Sequence, residues 1–284
     1  MSVAALRRKY HKSLCRDVIR LSGDRASGYP NFADGTRKTS RDLAWEIAER
    51  IGCSTEGYIA PQTVGTLFEQ VTQAYLEEAF GLLHHLRPGD WRYSCKGAIS
   101  DFDQYRHLAE LEELLEQAVE LKASVGRDYI IRPDILISRL PVLDEEINRA
   151  GQVIGPEESV SSLTPLRERN VPRRTPILHA SISCKWTIRS GRVQNIRAEA
   201  LNLIRNRKGN LPHVIAVTFE PMPTRISSLA LGTGDVDCVY HGALYELQRA
   251  LEQLGNEDQA EVYHTLLQGR RLRDISDLPF DLAI

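Results

Sequence analysis

Residues 178–188, Leu-His-Ala-Ser-Ile-Ser-Cys-Lys-Trp-Thr-Ile, constrain this chain more than any other stretch. They are rich in β-branched and aromatic residues, and they alternate. Ile182, Cys184 and Trp186 fall on one face of a strand, while Ser181, Ser183, Lys185 and Thr187 fall on the other. The first face is expected to enter a core and the second to be polar. A helical run, Gln194 to Arg207, follows almost at once and carries Glu199 one or two turns in. A second strand candidate, Asp128 to Ser138, has Ile131, Ile135 and Ile137 of one parity and Ile130, Asp134 and Leu136 of the other. Its Pro133 suits an edge strand or a bulge.

If these two strands are neighbours, Asp134 and Lys185 share a rim. A carboxylate, a lysine and a second carboxylate from consecutive elements are what metal-assisted phosphodiester hydrolysis requires. A divalent cation held by Asp134 and Glu199 stabilises the pentavalent phosphate and helps to ionise a water, with Lys185 set against that phosphate or water. Ordinary ion pairs use the same residue types, and sequence separation alone does not distinguish the two. The combined string at the ends of two apolar strand candidates is what favours a nuclease centre.

The rest of the chain supports a mixed α/β architecture. Amphipathic helices are expected from about Ala4 to Leu21, over 41–51 with Thr39 or Ser40 as cap, from Pro61 to about Leu86, and over 101–123. Trp91 to Ile99 reads as a strand, Leu211 to Phe219 as a buried strand, Glu220 to Ser228 as a loop, and 238–254 with 256–267 as a helical hairpin. Residues 140–176 form a long excursion with several prolines and glycines beside the site, and long loops are commonly functional. With 284 residues, 42% of them hydrophobic, the chain can bury one sizeable core and a smaller helical lobe. One domain over 1–284 is expected, a helical part over roughly 1–125 and a catalytic core over roughly 126–284. No apolar run is long enough to span a bilayer and the first residues lack a signal-peptide segment, so a soluble cytoplasmic protein without a membrane partner is expected. The five cysteines, Cys15, Cys53, Cys95, Cys184 and Cys238, are odd in number and scattered, which points to reduced thiols. The net charge of −2 does not advertise nucleic-acid binding, although 167–174 and 189–208 are locally basic.

Longer strings carry a family resemblance. Leu178 to Ser190, Asn206-Arg-Lys-Gly-x-Leu-Pro-His213, Arg225-Ile-Ser-Ser-x-Ala-Leu-Gly-Thr-Gly234 and Arg273-Asp-Ile-Ser-Asp-Leu-Pro279 resemble the type II restriction endonucleases of the PD-(D/E)XK superfamily, in particular the NgoMIV-like family. Arg87-Pro-Gly-Asp-Trp91 and Glu146-Ile-Asn-Arg149 match as well. The resemblance implies a restriction-endonuclease-like core and places the metal-binding aspartate at Asp134, the catalytic lysine at Lys185 and a relocated acidic residue at Glu199, with Glu69 as a further acid. Ser183 stands where many superfamily members carry a carboxylate, and Cys184 offers its backbone carbonyl to a metal. Magnesium, two ions per active site, is the implied cofactor. Double-stranded DNA is the implied partner, read at GCCGGC and cut after the first G to leave a 5′ CCGG extension by a homotetramer, a dimer of dimers. Arg189 and Arg192 fall on the central CCGG, and Arg225, Gln62 and Thr36 near the outer pair. Arginine bonded to guanine O6 and N7 is the usual major-groove contact, with a phosphate contact as the alternative. Two positions depart from the pattern: Gly191 replaces an aspartate between the paired arginines, and Thr36 replaces a serine. A structure-specific nuclease on the same scaffold, or a DNA-binding protein with an inactive site, are the competing readings.

Overall fold

The computed structural model describes residues 1–117, 131–155, 159–168, 175–188, 190–232 and 234–284, without the side chains at 190–192. Six strands form one mixed sheet: β1 (Trp91–Ser94), β2 (Ile135–Arg139), β3 (Ile177–Lys185), β4 (His213–Thr218), β5 (Cys238–His241) and β6 (Leu272–Asp274). They lie in chain order across the sheet. The β1–β2 and β2–β3 pairs are antiparallel, and the β3–β4, β4–β5 and β5–β6 pairs parallel. Among the described residues, eight longer helices flank it: α1 (Val3–Ser13), α2 (Lys38–Arg50), α3 (Pro61–Gly81), α4 (Arg106–Gln117), α5 (Ser190–Asn206), α6 (Pro223–Ala230), α7 (Leu244–Leu254) and α8 (Glu257–Gln268). This is an α/β fold.

The sheet's centre is β3, and its environment differs from the expected half-polar strand. Ser181 and Ser183 are as buried as Ile182 and Cys184. The reason is cover. Helix α3 packs on β3, and the 99–105 segment clasps its start, where Gln104 Nε2 donates to the Leu178 carbonyl and the Leu178 amide to Gln104 Oε1. Tyr105 Oη in turn donates to the Leu203 carbonyl of α5 at 3.0 Å. Just past β3, Trp186 stacks on Phe219 with ring centroids 5.0 Å apart, while Phe32 and Phe68 meet it edge-on. These rings fix the exit of β3, where Lys185 stands, against the exit of β4.

Several expected boundaries move. Helix α1 stops at Ser13 and its continuation, Leu14–Val18, is a π turn. Helix α2 starts at Lys38 with no side-chain cap, and Ser40, inside it, accepts the Asp34 amide at 2.9 Å instead. Helix α3 ends at Gly81, and β1 ends at Ser94. The segment expected as a 101–123 helix begins as two 3-10 turns and becomes α4 at Arg106, which is described to Gln117; 118–123 lie outside the described residues. Pro133 precedes β2, an inner strand, and the irregular pairing with β3 falls at Ile137/Ser138. The 220–228 loop is the helix α6 from Pro223 onward, with proline at its first turn. Cys238–His241 is not helical but the buried strand β5, and β6 follows α8. The 140–176 excursion folds back so that Val142 bridges Arg167, with 156–158 and 169–174 outside the described residues. The expectation of reduced thiols is also corrected, since Cys15 and Cys53 form a disulfide that ties the turn after α1 to the end of α2. Cys95, Cys184 and Cys238 are free.

Helix α1 is anchored electrostatically as well. Arg7 lies between Glu246 and Asp274, donating to both oxygens of each at 2.6–2.9 Å, and Asp274 is fully buried. Such bidentate pairs fix α1 to α7 and β6. Among the described residues, no helix is long and apolar enough to cross a membrane.

Candidate active site

The β2–β3 register builds the site. Ile135 lies opposite Ile182, so one step back along β2 and one step forward along β3 bring Asp134 to the peptide between Ser183 and Cys184. Asp134 Oδ2 accepts the Cys184 amide at 2.7 Å and the Lys185 ammonium, also at 2.7 Å. Both side chains are about one-fifth exposed, so the pair is formed at the wall of a cleft. That cleft, about 620 Å³ in volume, is lined by Glu69 of α3, Cys184 and Lys185 of β3, and Glu199 of α5. Gln62, in the first turn of α3, lines it too. Ser183 is buried on the same face of β3 as Lys185.

The electrostatics follow from packing carboxylates around one lysine. Burial pushes the Glu69 carboxyl up to about 7, the charge on Asp134 adds to that, and Lys185 opposes it. Burial likewise raises Glu199, with Lys185 opposing and Asp134 reinforcing. Burial disfavours the Lys185 ammonium, but Asp134 outweighs it and the net shift is upward, so the lysine stays charged. Burial holds the Cys184 thiol well above its ordinary value, which leaves it protonated and unsuited to metal ligation through sulfur. Among the described residues, no three His, Cys, Asp or Glu side chains form a metal cage by themselves. The donor set nevertheless suits magnesium, which keeps much of its water and takes one or two carboxylates together with substrate phosphate. Burial is the main cause of both shifts, and the repulsion by Asp134 that adds to it is what a bound cation relieves.

The residues assigned to base reading divide between two clefts. Thr36 and Arg225 line a second cleft of about 770 Å³ with Arg197, and Thr187 borders both clefts. Arg225 pairs with Asp34, whose other oxygen accepts the Thr36 amide at 3.0 Å and hydroxyl at 2.6 Å. Those Thr36 bonds, with Arg225, hold Asp34 down at about 2. Gln62 lies in the first cleft instead, apart from Thr36 and Arg225. Arg189 and the side chain of Arg192 lie outside the described residues.

Two residues of this region escaped sequence reasoning. Asp34 had a signal, because Asp-Gly-Thr is an Asx-turn string whose carboxylate caps the amide two residues on. Glu220 had a subtler one, a carboxylate directly after the apolar run 214–219. It is fully buried and accepts the Ile188 amide at 2.9 Å and the Met222 amide at 3.2 Å.

Comparisons with known proteins point to one family. Residues 10–284 match the family described as NgoMIV restriction enzyme. The type II restriction enzyme NgoMIV of Neisseria gonorrhoeae is 45% identical over 98% of this chain and 97% of its own length. The six-stranded mixed sheet with flanking helices is consistent with a restriction-endonuclease-like α/β fold. The chain belongs to the NgoMIV restriction enzyme family.

Proposed function

We infer that this type II restriction endonuclease cleaves double-stranded DNA at GCCGGC with magnesium, after the first G, leaving 5′ CCGG extensions. The observation that carries the reading is the single oxygen of Asp134 shared by the Lys185 ammonium and the Cys184 amide, in a cleft also lined by Glu69 and Glu199. Asp134 and Glu199 are the side chains for a metal, with the Cys184 carbonyl as a backbone ligand. Bound magnesium supplies charge neutralisation at the phosphate and a more acidic water, and two ions per site are expected. Lys185, kept charged by Asp134, holds the scissile phosphate or the attacking water in place. Glu69 adds a fourth ionisable group at the rim, and Ser183 fills a buried strand position that needs no charge once Glu199 comes from α5.

Arg189 and Arg192 are the readers of the central CCGG. Arg225, Thr36 and Gln62 serve the outer pair, with Arg225 pre-oriented by Asp34. The working assembly is a homotetramer of two dimers in the cytoplasm. Plasmid DNA incubated with the protein and magnesium, followed by sequencing of the ends, tests the chemistry and the site together. Random nicking, or ends other than 5′ CCGG, overturns the specificity. Equal rates on one-site and two-site plasmids, with a monomer in analytical ultracentrifugation, overturn the tetramer.

A further inference from the structure

We propose that Glu220 is a positioning residue for sequence discrimination, its buried carboxylate fixing both DNA-reading segments to the catalytic strand. One oxygen, Oε2, accepts the amide of Ile188, the residue immediately before Arg189. The other, Oε1, accepts the amide of Met222, which caps α6, and lies 3.9 Å from the Arg225 guanidinium in that helix's first turn. The backbone at Ile188 and the first turn of α6, which carries Arg225, are therefore held by the two oxygens of one side chain.

The same residue is tied to catalysis through its backbone. Its amide donates to Thr218 Oγ1 at 3.2 Å, and that hydroxyl donates to the Lys185 carbonyl at 2.7 Å. Lys185 and Thr218 are also partners in the β3–β4 register. The chain of bonds runs from the catalytic lysine through Thr218 to Glu220 and then divides towards the two readers.

The cost of this arrangement argues for a role. A carboxylate with no exposed surface is disfavoured, and burial pushes Glu220 up to about 7 against the pull of the Ile188 amide and Arg225. A neutral side chain of similar volume avoids that cost but cannot replace both bonds. Glutamine has one acceptor oxygen, and its amide nitrogen, a donor, would face one of the two N–H groups. A buried N–H left unpaired shifts or stays strained, and the reader attached to it loses its fixed placement.

The inference rests on Arg189 and Arg225 being readers, and the experiment keeps that assumption separate. A randomised duplex pool is cleaved by the wild type, Glu220→Gln, Thr218→Val and Asp274→Asn, with melting followed in parallel. Asp274→Asn is the comparison because it alters another fully buried carboxylate, one whose own partners are Arg7, Leu244 and Ser276 rather than Ile188, Met222 or Arg225. Glu220→Gln is expected to lower the ratio of cognate to best single-mismatch kcat/KM by about tenfold or more at inner and outer pairs alike. The loss should fall on kcat for the cognate duplex, with KM changed little. Thr218→Val, which removes the hydroxyl between Lys185 and Glu220 at constant volume, lowers the same ratio, and Asp274→Asn leaves it at the wild-type value. The wild-type ratio in either of the first two variants, melting cooperatively, overturns the proposal, as does an equal loss in Asp274→Asn. A wild type that selects another site refutes only the reading of the target. The ratio is then taken on the site it does select.

Discussion

Glu69→Gln is expected to make the metal-free enzyme more stable at alkaline pH, although it alters a residue that lines the cleft beside Asp134 and Lys185. Glu69 has its carboxyl at about 7 in the folded protein against an ordinary value of 4.5, through burial and the nearby Asp134. A carboxyl whose folded pKa is raised binds its proton more tightly in the folded chain than in the unfolded one. Stability is therefore lost as pH rises from about 4.5 to about 7 and stays level above that. The full shift corresponds to about 3 kcal/mol at 1.36 kcal/mol per unit. Glu69 keeps part of its surface in water, so about 1–3 kcal/mol is the expected size. Urea denaturation of wild type and Glu69→Gln in EDTA, at pH 5 and pH 8, reads it directly. At pH 8 the variant should be the more stable by that amount, and at pH 5 the gap should nearly close. Magnesium at pH 8 should narrow the gap by stabilising the wild type, because a cation offsets the repulsion that glutamine removes. Parallel curves with a pH-independent gap would refute the electrostatic account.

Lys185→Ala should lower single-turnover cleavage by about 100-fold or more while the protein still melts cooperatively, since it removes the cation fixed by Asp134; near-normal cleavage sinks the assignment. Asp274→Asn should cost about 3 kcal/mol near neutral pH by leaving Arg7 half-paired. Burial opposes the charged form of Asp274, but the Arg7 bonds outweigh it and lower its pKa, so this stability is present above about pH 4 and fades as pH falls through the folded value. Wild-type and variant curves measured by denaturation should thus converge on acidification. Reducing Cys15–Cys53, which closes a 38-residue separation, should lower stability by about 2–4 kcal/mol, and identical melts with and without dithiothreitol would show the bond to be dispensable. Gly191→Asp supplies an acceptor for the cytosine amino group and should sharpen discrimination at the central cytosines by about 1–3 kcal/mol. A wild type that already rejects every substituted cytosine as strictly would exclude that account on a single-substitution library.

The site was more legible than the fold around it. That Asp134 and Lys185 lie together, with Glu199 lining the same cleft, could be read because each lay beside a periodic apolar pattern, and the β2–β3 register brings the first two together. The elements that were misjudged have separate causes. Cys238–His241 is four residues long and covered on all sides, so it carries no alternation to separate it from the adjoining helical run. Helix α6 begins inside Pro-Met-Pro, a string that reads as a loop unless proline is recognised at the first helical turn. Ser181 and Ser183 suggested an open face, but their exposure is decided by helix α3 and the 99–105 segment, far away in sequence. The Cys15–Cys53 pairing likewise depends on the chain reversing between α1 and α2, which no spacing encodes. Glu220 was missed because its partners are backbone amides, which every residue has.

The stack of Trp186 on Phe219, with Phe32 and Phe68 at its edges, also sets how the enzyme should fail on heating. Surface arms can open by themselves, but the exit of β3 is released only when four large rings separate and α3 leaves the sheet. Backbone amides around Lys185 should then exchange with solvent only through global opening, among the slowest in the chain. As temperature rises, the rate per folded molecule should hold until unfolding itself begins. Lost activity would track the population of unfolded chains rather than a gradual loosening of β3.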